Sequence, residues 1–91
     1  MISEQRAAIK ISPEDNLVVA LRDLSKGETL EVNGESIVVV QSIKAKHKMA
    51  ARDFATGDLA TMYGVVVGET TVEVPKGNAL TTANLTHRSA E

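Results

Sequence analysis

Two side chains in this 91-residue sequence ordinarily exchange a proton near neutral pH, His47 and His87. His47 stands in Lys44-Ala45-Lys46-His47-Lys48, with cations on both sides. A neutral imidazole has one ring nitrogen free as a base or a ligand. Lys46 and Lys48 are then placed to receive a carboxylate. The same stretch also reads as a solvated basic loop. His87 is followed by Arg88 close to the last residue, where a plain tail is the competing reading. There is no Cys, so thiolate ligands, thiol nucleophiles and disulfides are excluded. No His, Asp and Glu fall at metal-ligand spacing, no glycine loop opens a helix, and no serine sits on a strand-turn-helix elbow. A self-sufficient small enzyme is therefore disfavoured.

The segments around these residues are organised by a repeated turn. Asp23-Leu24-Ser25-Lys26-Gly27-Glu28-Thr29-Leu30 is echoed by Asp53-Phe54-Ala55-Thr56-Gly57-Asp58-Leu59-Ala60, and more weakly by Glu73-Val74-Pro75-Lys76-Gly77-Asn78-Ala79-Leu80. Asp23 and Asp53 are expected to cap the turns they open, with Arg22 and Arg52 as partners of those carboxylates. Strands are expected around Ile9 and Ile11, over 17–21, 29–32, 36–43 and 65–68, through the alternating stretch 69–74 and in a closing segment 79–85. Asn33-Gly34 is a strong hairpin signal, since both central positions of that turn need positive φ. Residues 12–16 read as a turn or a single helical turn, and 44–51 as a basic loop or a short helical turn. The fold class is all-β: a small domain of short strands with internal pseudo-symmetry and one or two short helical turns. Residues 1–8 are expected to be a flexible amino terminus, 9–87 the domain, and 88–91 a tail or the start of a linker.

Composition narrows the function classes. The formal charge is −2, with one Phe, one Tyr and no Trp. Such a chain has neither the basic footprint nor the stacking aromatics of a nucleic-acid binder. No apolar run approaches the ~20 residues of a membrane span. The lack of Cys fits a reducing cytoplasm.

Two blocks carry a family resemblance. The first runs from Ile9 through Ser12-Pro13-Glu14-Asp15-Asn16-Leu17-Val18-Val19-Ala20-Leu21-Arg22-Asp23-Leu24. The second is Lys46-His47-Lys48-Met49-Ala50-Ala51-Arg52-Asp53-Phe54 with Met62-Tyr63-Gly64-Val65-Val66-Val67-Gly68. Over 9–87 the chain resembles the amino-terminal SAF domain of altronate dehydratases, a group that includes galactarate dehydratase and the small subunit of sulfolactate sulfo-lyase. The resemblance implies a β-clip fold and a part in dehydrating a sugar acid. In that reaction a base removes the proton α to the carboxylate and the β-hydroxyl departs, assisted by a divalent metal (Fe, Mn or Mg). It also implies that most of the machinery lies in a larger catalytic domain, in cis or as a separate subunit.

By the same resemblance His47 is the candidate catalytic residue, and Lys48, Thr82, Asn84 and His87 are candidate substrate-binding residues. No metal ligand is assigned within this chain. Two departures stand out. Lys46 replaces a glycine that many relatives carry before the His-Lys pair. Thr81-Thr82-Ala83-Asn84 replaces a His-x-His-Asn segment, keeping only the Asn. The leading expectation is a cytoplasmic accessory domain of an altronate dehydratase in hexuronate breakdown. The alternative is a non-catalytic SAF-type binding or assembly module, with a homo-oligomer as one outcome.

Overall fold

The computed structural model describes residues 6–87. The expected flexible terminus 1–8 falls largely outside the described residues, and the expected tail 88–91 wholly so. The described residues form nine short strands: β1 (Ala8–Ile9), β2 (Leu17–Ala20), β3 (Thr29–Val32), β4 (Glu35–Val38), β5 (Lys48–Ala50), β6 (Leu59–Met62), β7 (Val65–Thr70), β8 (Ala79–Leu80) and β9 (Leu85–His87). All pairings are antiparallel: a central sheet in the order β1-β2-β5-β8, a β3-β4 hairpin and a β6-β7-β9 sheet.

Successive side chains of a strand point to opposite faces, and the central sheet uses this to serve two cores. Val18, Met49 and Ala79 point to one side, where they join Leu30, Ile37 and Val39 of the first hairpin. Leu17, Ala50 and Leu80 point to the other, joining Phe54, Ala60 and Leu85. With Phe54 the one aromatic among their buried residues, the two cores are otherwise aliphatic and methionine side chains, each packed against one hairpin.

The pseudo-symmetry is structural. Asp23 maps onto Asp53, Gly27 onto Gly57 and Asn33-Gly34 onto Tyr63-Gly64. The latter two pairs both close their hairpins with positive φ. An irregularity at Ala60/Thr61, where Ala60 faces Gly68 and Thr61 faces Val66, places one extra residue in β7. Beyond it Ile43 maps onto Val74, and both make isolated bridges, to Leu24 and Phe54.

Several expectations are corrected. The expected helical turns are absent, and the described residues contain no helix. Of the two readings of 12–16 the turn is the one present: Asp15 accepts the Ser12 N–H at 3.0 Å and its own N–H bonds the Ser12 carbonyl at 3.0 Å, leading straight into β2. The third copy of the turn corresponds to Lys44–His47, not to Ser25–Glu28. That makes four turns of one kind: the N–H of Glu28, His47, Asp58 and Asn78 each donates, at 3.1 Å, to the carbonyl three residues earlier.

The carboxylates also act elsewhere than adjacency suggests. Asp23 accepts the N–H of Ala45 at 2.9 Å and Asp53 that of Lys76 at 2.8 Å, so each caps the turn across its bridge. The turns they open are capped by Glu28 on Ser25 N–H and Asp58 on Ala55 N–H. Arg22 and Arg52 pair with Glu28 and Asp58, not with Asp23 and Asp53, whose backbone carbonyls they contact instead. Beyond Thr70 the chain bends, so Val72 is exposed while Val74 is buried. The closing segment is split into β8 and β9 by a turn at 82–84.

Candidate functional site

The His47 loop is held from several directions. Asp23 caps its turn through Ala45. Lys46 N–H donates to the Ala20 carbonyl at 2.6 Å, and Ala20 N–H returns a bond to the His47 carbonyl at 2.9 Å. Lys46 occupies the turn position that glycine fills in the other three, and it adopts φ 74° there. A side-chain-bearing residue in this left-handed region is strained, and such strain collects where geometry serves function.

Strand pairing supplies the opposite wall. Lys48 faces Leu80 in the β5-β8 register, which brings Thr81 and Thr82 beside His47. His87 pairs with Gly68 at the end of β9. These meet in one cleft of about 280 Å³ lined by Lys46, His47, Lys48, Leu80, Thr81, Thr82 and His87. Four of the five sequence candidates, His47, Lys48, Thr82 and His87, therefore share one wall-to-wall space.

Asn84 does not line the cleft. Its side chain accepts Thr81 N–H at 2.9 Å and donates to the Ala79 carbonyl at 2.9 Å. Its backbone bonds Thr81 and Thr71. It ties the turn that presents Thr82. No local pattern marks Leu80 as a lining residue, since only the pairing with β5 places it there.

The lining carries two ammonium groups, two imidazoles and two hydroxyls, with no carboxylate. Such a lining attracts an anion and offers hydrogen bonds to hydroxyls. It does not suit a divalent cation: among the described residues no three His, Asp or Glu side chains gather to hold a metal ion, and the two imidazoles here lie beside two lysines. No helix among the described residues is long and apolar enough to cross a membrane.

Residues 6–88 match the family model of the altronate/galactarate dehydratase SAF domain. The chain belongs to that family. The fold of this SAF domain agrees with a small β-clip of short strands. It is similar to the altronate dehydratase of Bacillus subtilis (strain 168), 38% identical over 72 residues, which are 79% of this chain and 14% of that protein. It is also similar to the altronate dehydratase of Escherichia coli (strain K12), 33% identical over 69 residues, 76% of this chain and 14% of that protein. The SAF domain thus spans about a seventh of the length of the curated relatives it matches.

Proposed function

We propose that this SAF domain is an accessory part of a metal-dependent sugar-acid dehydratase in the cytoplasm. The substrate would be altronate, converted to 2-keto-3-deoxygluconate in hexuronate breakdown. The larger catalytic domain is supplied in the same chain or as a separate subunit, and the His47 cleft is laid against its active site. The observation that carries this reading is the convergence of His47, Lys48, Thr82 and His87 in a cationic, hydroxyl-bearing cleft on a chain of this family.

The chemistry is an elimination. A base takes the proton from the carbon next to the carboxylate, and the electron pair becomes a C=C bond as the neighbouring hydroxyl leaves, protonated, as water. The enol formed then tautomerises to the 2-keto-3-deoxy acid. Lys46 and Lys48 hold the carboxylate, His47 is the proton acceptor, and Thr82 and His87 bond sugar hydroxyls. Asn84 is a positioning residue that fixes the Thr82 turn. The divalent metal, Fe, Mn or Mg, is assigned to the larger domain, because the cleft's own donors do not fit one.

In the complete enzyme, His47→Ala should lower kcat by about 10²–10⁴-fold, the usual contribution of a positioned base. Lys48→Ala should raise KM with a smaller change in kcat. An unchanged kcat in His47→Ala would remove His47 from the reaction. A second reading, a binding or assembly module, is favoured by one feature: Leu59, Tyr63 and Val65 of the second hairpin are apolar and exposed. A stable homo-oligomer indifferent to sugar acids would support that reading instead.

A further inference from the structure

The two halves of the fold treat equivalent positions differently. Ala8 pairs with Ala20, and Leu17 with Ala50. Because Ala20 maps onto Ala50, β1 stands to the first half as β2 stands to the second. The backbone repeats this relation, with Leu21 N–H on the Ala7 carbonyl at 2.8 Å and Ala51 N–H on the Asn16 carbonyl at 3.0 Å. Arg6 and Ala7 therefore occupy the places that Asp15 and Asn16 take one repeat later.

In the second half those two side chains close the outer edge of β6 and its turn. Asn16 Nδ2 donates to the Leu59 carbonyl at 2.9 Å and Oδ1 accepts Thr61 N–H at 2.8 Å, as a neighbouring peptide group would. The Asp15 carboxylate, buried, accepts the N–H groups of Tyr63 at 3.1 Å and Gly64 at 3.0 Å. In the first half the equivalent groups are the Thr29 carbonyl and the N–H groups of Glu31, Asn33 and Gly34. Among the described residues no side chain caps them, since Arg6 has no acceptor and Ala7 no amide. A cleft of about 530 Å³ lies there instead, lined by Arg6, Ala7 and the length of β3 through Asn33. Arg22 also borders it, already paired with Glu28. The Glu31 carboxylate accepts from Ser36 Oγ at 3.2 Å.

We propose that this cleft docks an extended acidic segment of a partner polypeptide, its carboxylate on the Asn33-Gly34 turn beside Arg6 and a peptide group on the open edge of β3. The second half shows the chemistry such an occupant must bring, a carboxylate next to an amide. A polypeptide meets it because the Thr29 carbonyl needs a donor while Glu31 N–H needs an acceptor, the two-sided pairing of strand addition. A free sugar acid has hydroxyls that donate and accept, but no peptide backbone to run in register along β3. The inference uses none of the residues of the His47 cleft, so either reading can fail without the other.

The test is an amide NMR titration of the whole 91-residue chain with a capped Ser-Pro-Glu-Asp-Asn-Leu peptide, the sequence that fills the second half. Saturable shifts at Glu31, Asn33 and Gly34 are expected. The peptide with its Asp replaced by Ala should bind about tenfold or more weakly. The double variant Arg6→Asp/Ala7→Asn, which installs the cap in cis and leaves a dispersed spectrum, should lose those shifts. The proposal is overturned by absent shifts, by equal shifts in the double variant, by shifts from D-altronate but not peptide, or by amides already protected in the free chain.

Discussion

Lys46 holds φ 74° in a turn whose three counterparts carry Gly27 at 96°, Gly57 at 87° and Gly77 at 90°. A left-handed non-glycine residue costs on the order of 1 kcal/mol or more. Lys46→Gly should therefore raise the denaturant midpoint, by about 1 kcal/mol of stability, even as it removes one cation from the cleft. An unchanged or lower midpoint would mean that the lysine is not strained there. Glu28 offers a second test at this scale. Its hydrogen bond from Arg22, and then that from Ser25 N–H, hold its carboxyl below the ordinary carboxylate range. A depressed folded-state pKa gives stability that is present above the ordinary range and is lost as pH falls through the folded value. The Tm gap between the native chain and Glu28→Gln should thus be small but measurable at neutral pH, since the pair is solvent-facing. It should close on acidification; a gap that widens in acid would contradict the assignment. The types of His47, Lys48 and His87 were enough to single them out in the sequence. The capping partners of Asp23 and Asp53 were not, because these carboxylates reach across 22 and 23 residues to Ala45 and Lys76 rather than to their own turns.

At the scale of elements, the four turns are not equivalent in what surrounds them. Gly27 has open space where a Cβ would go, whereas a Cβ on buried Gly77 would run into the Val38 carbonyl of β4. Gly77 also bonds Ala50 through its N–H and Val40 through its carbonyl. It is the point where the turn before β8 is threaded against the first hairpin. Both Gly27→Ala and Gly77→Ala carry the positive-φ penalty of about 1 kcal/mol. Gly77→Ala must also move backbone, so its loss of stability should clearly exceed that of Gly27→Ala in a denaturation series. Equal losses would show that β4 yields without cost. The sequence displayed both glycines in the same pattern, and hence the turns. Which of them is crowded depends on a contact between distant segments that no local pattern encodes. The split of the closing segment was hidden for a similar reason, because the Asn84 side chain satisfies backbone groups of Thr81 and Ala79 that a continuous strand would have used.

At the scale of the molecule, the central sheet feeds one core on each face and so fixes the two hairpins to a common frame. That frame makes the cleft: the Lys48–Leu80 pairing brings 81–82 to His47, and the β7-β9 pairing carries His87 to the same rim. The all-β class, the pseudo-symmetry and the family were legible from the alternation of apolar residues, the repeated Asp-x-x-x-Gly turns and two sequence blocks. The convergence of His47 with Thr82 and His87 was not, because it follows from strand order, which short β elements of similar composition leave undetermined. Under the proposed function this cleft, with its two lysines and two imidazoles, would orient and deprotonate a sugar acid, and among the described residues no three side chains gather to hold a metal ion. Under that proposal the domain takes a share of a reaction completed elsewhere. The most direct measurement is formation of 2-keto-3-deoxy acid from D-altronate with divalent metal present, using this chain alone, the large dehydratase domain alone, and the two combined. Product only in the mixture is the predicted result. Equal turnover by the large domain with and without this chain would contradict an active-site role.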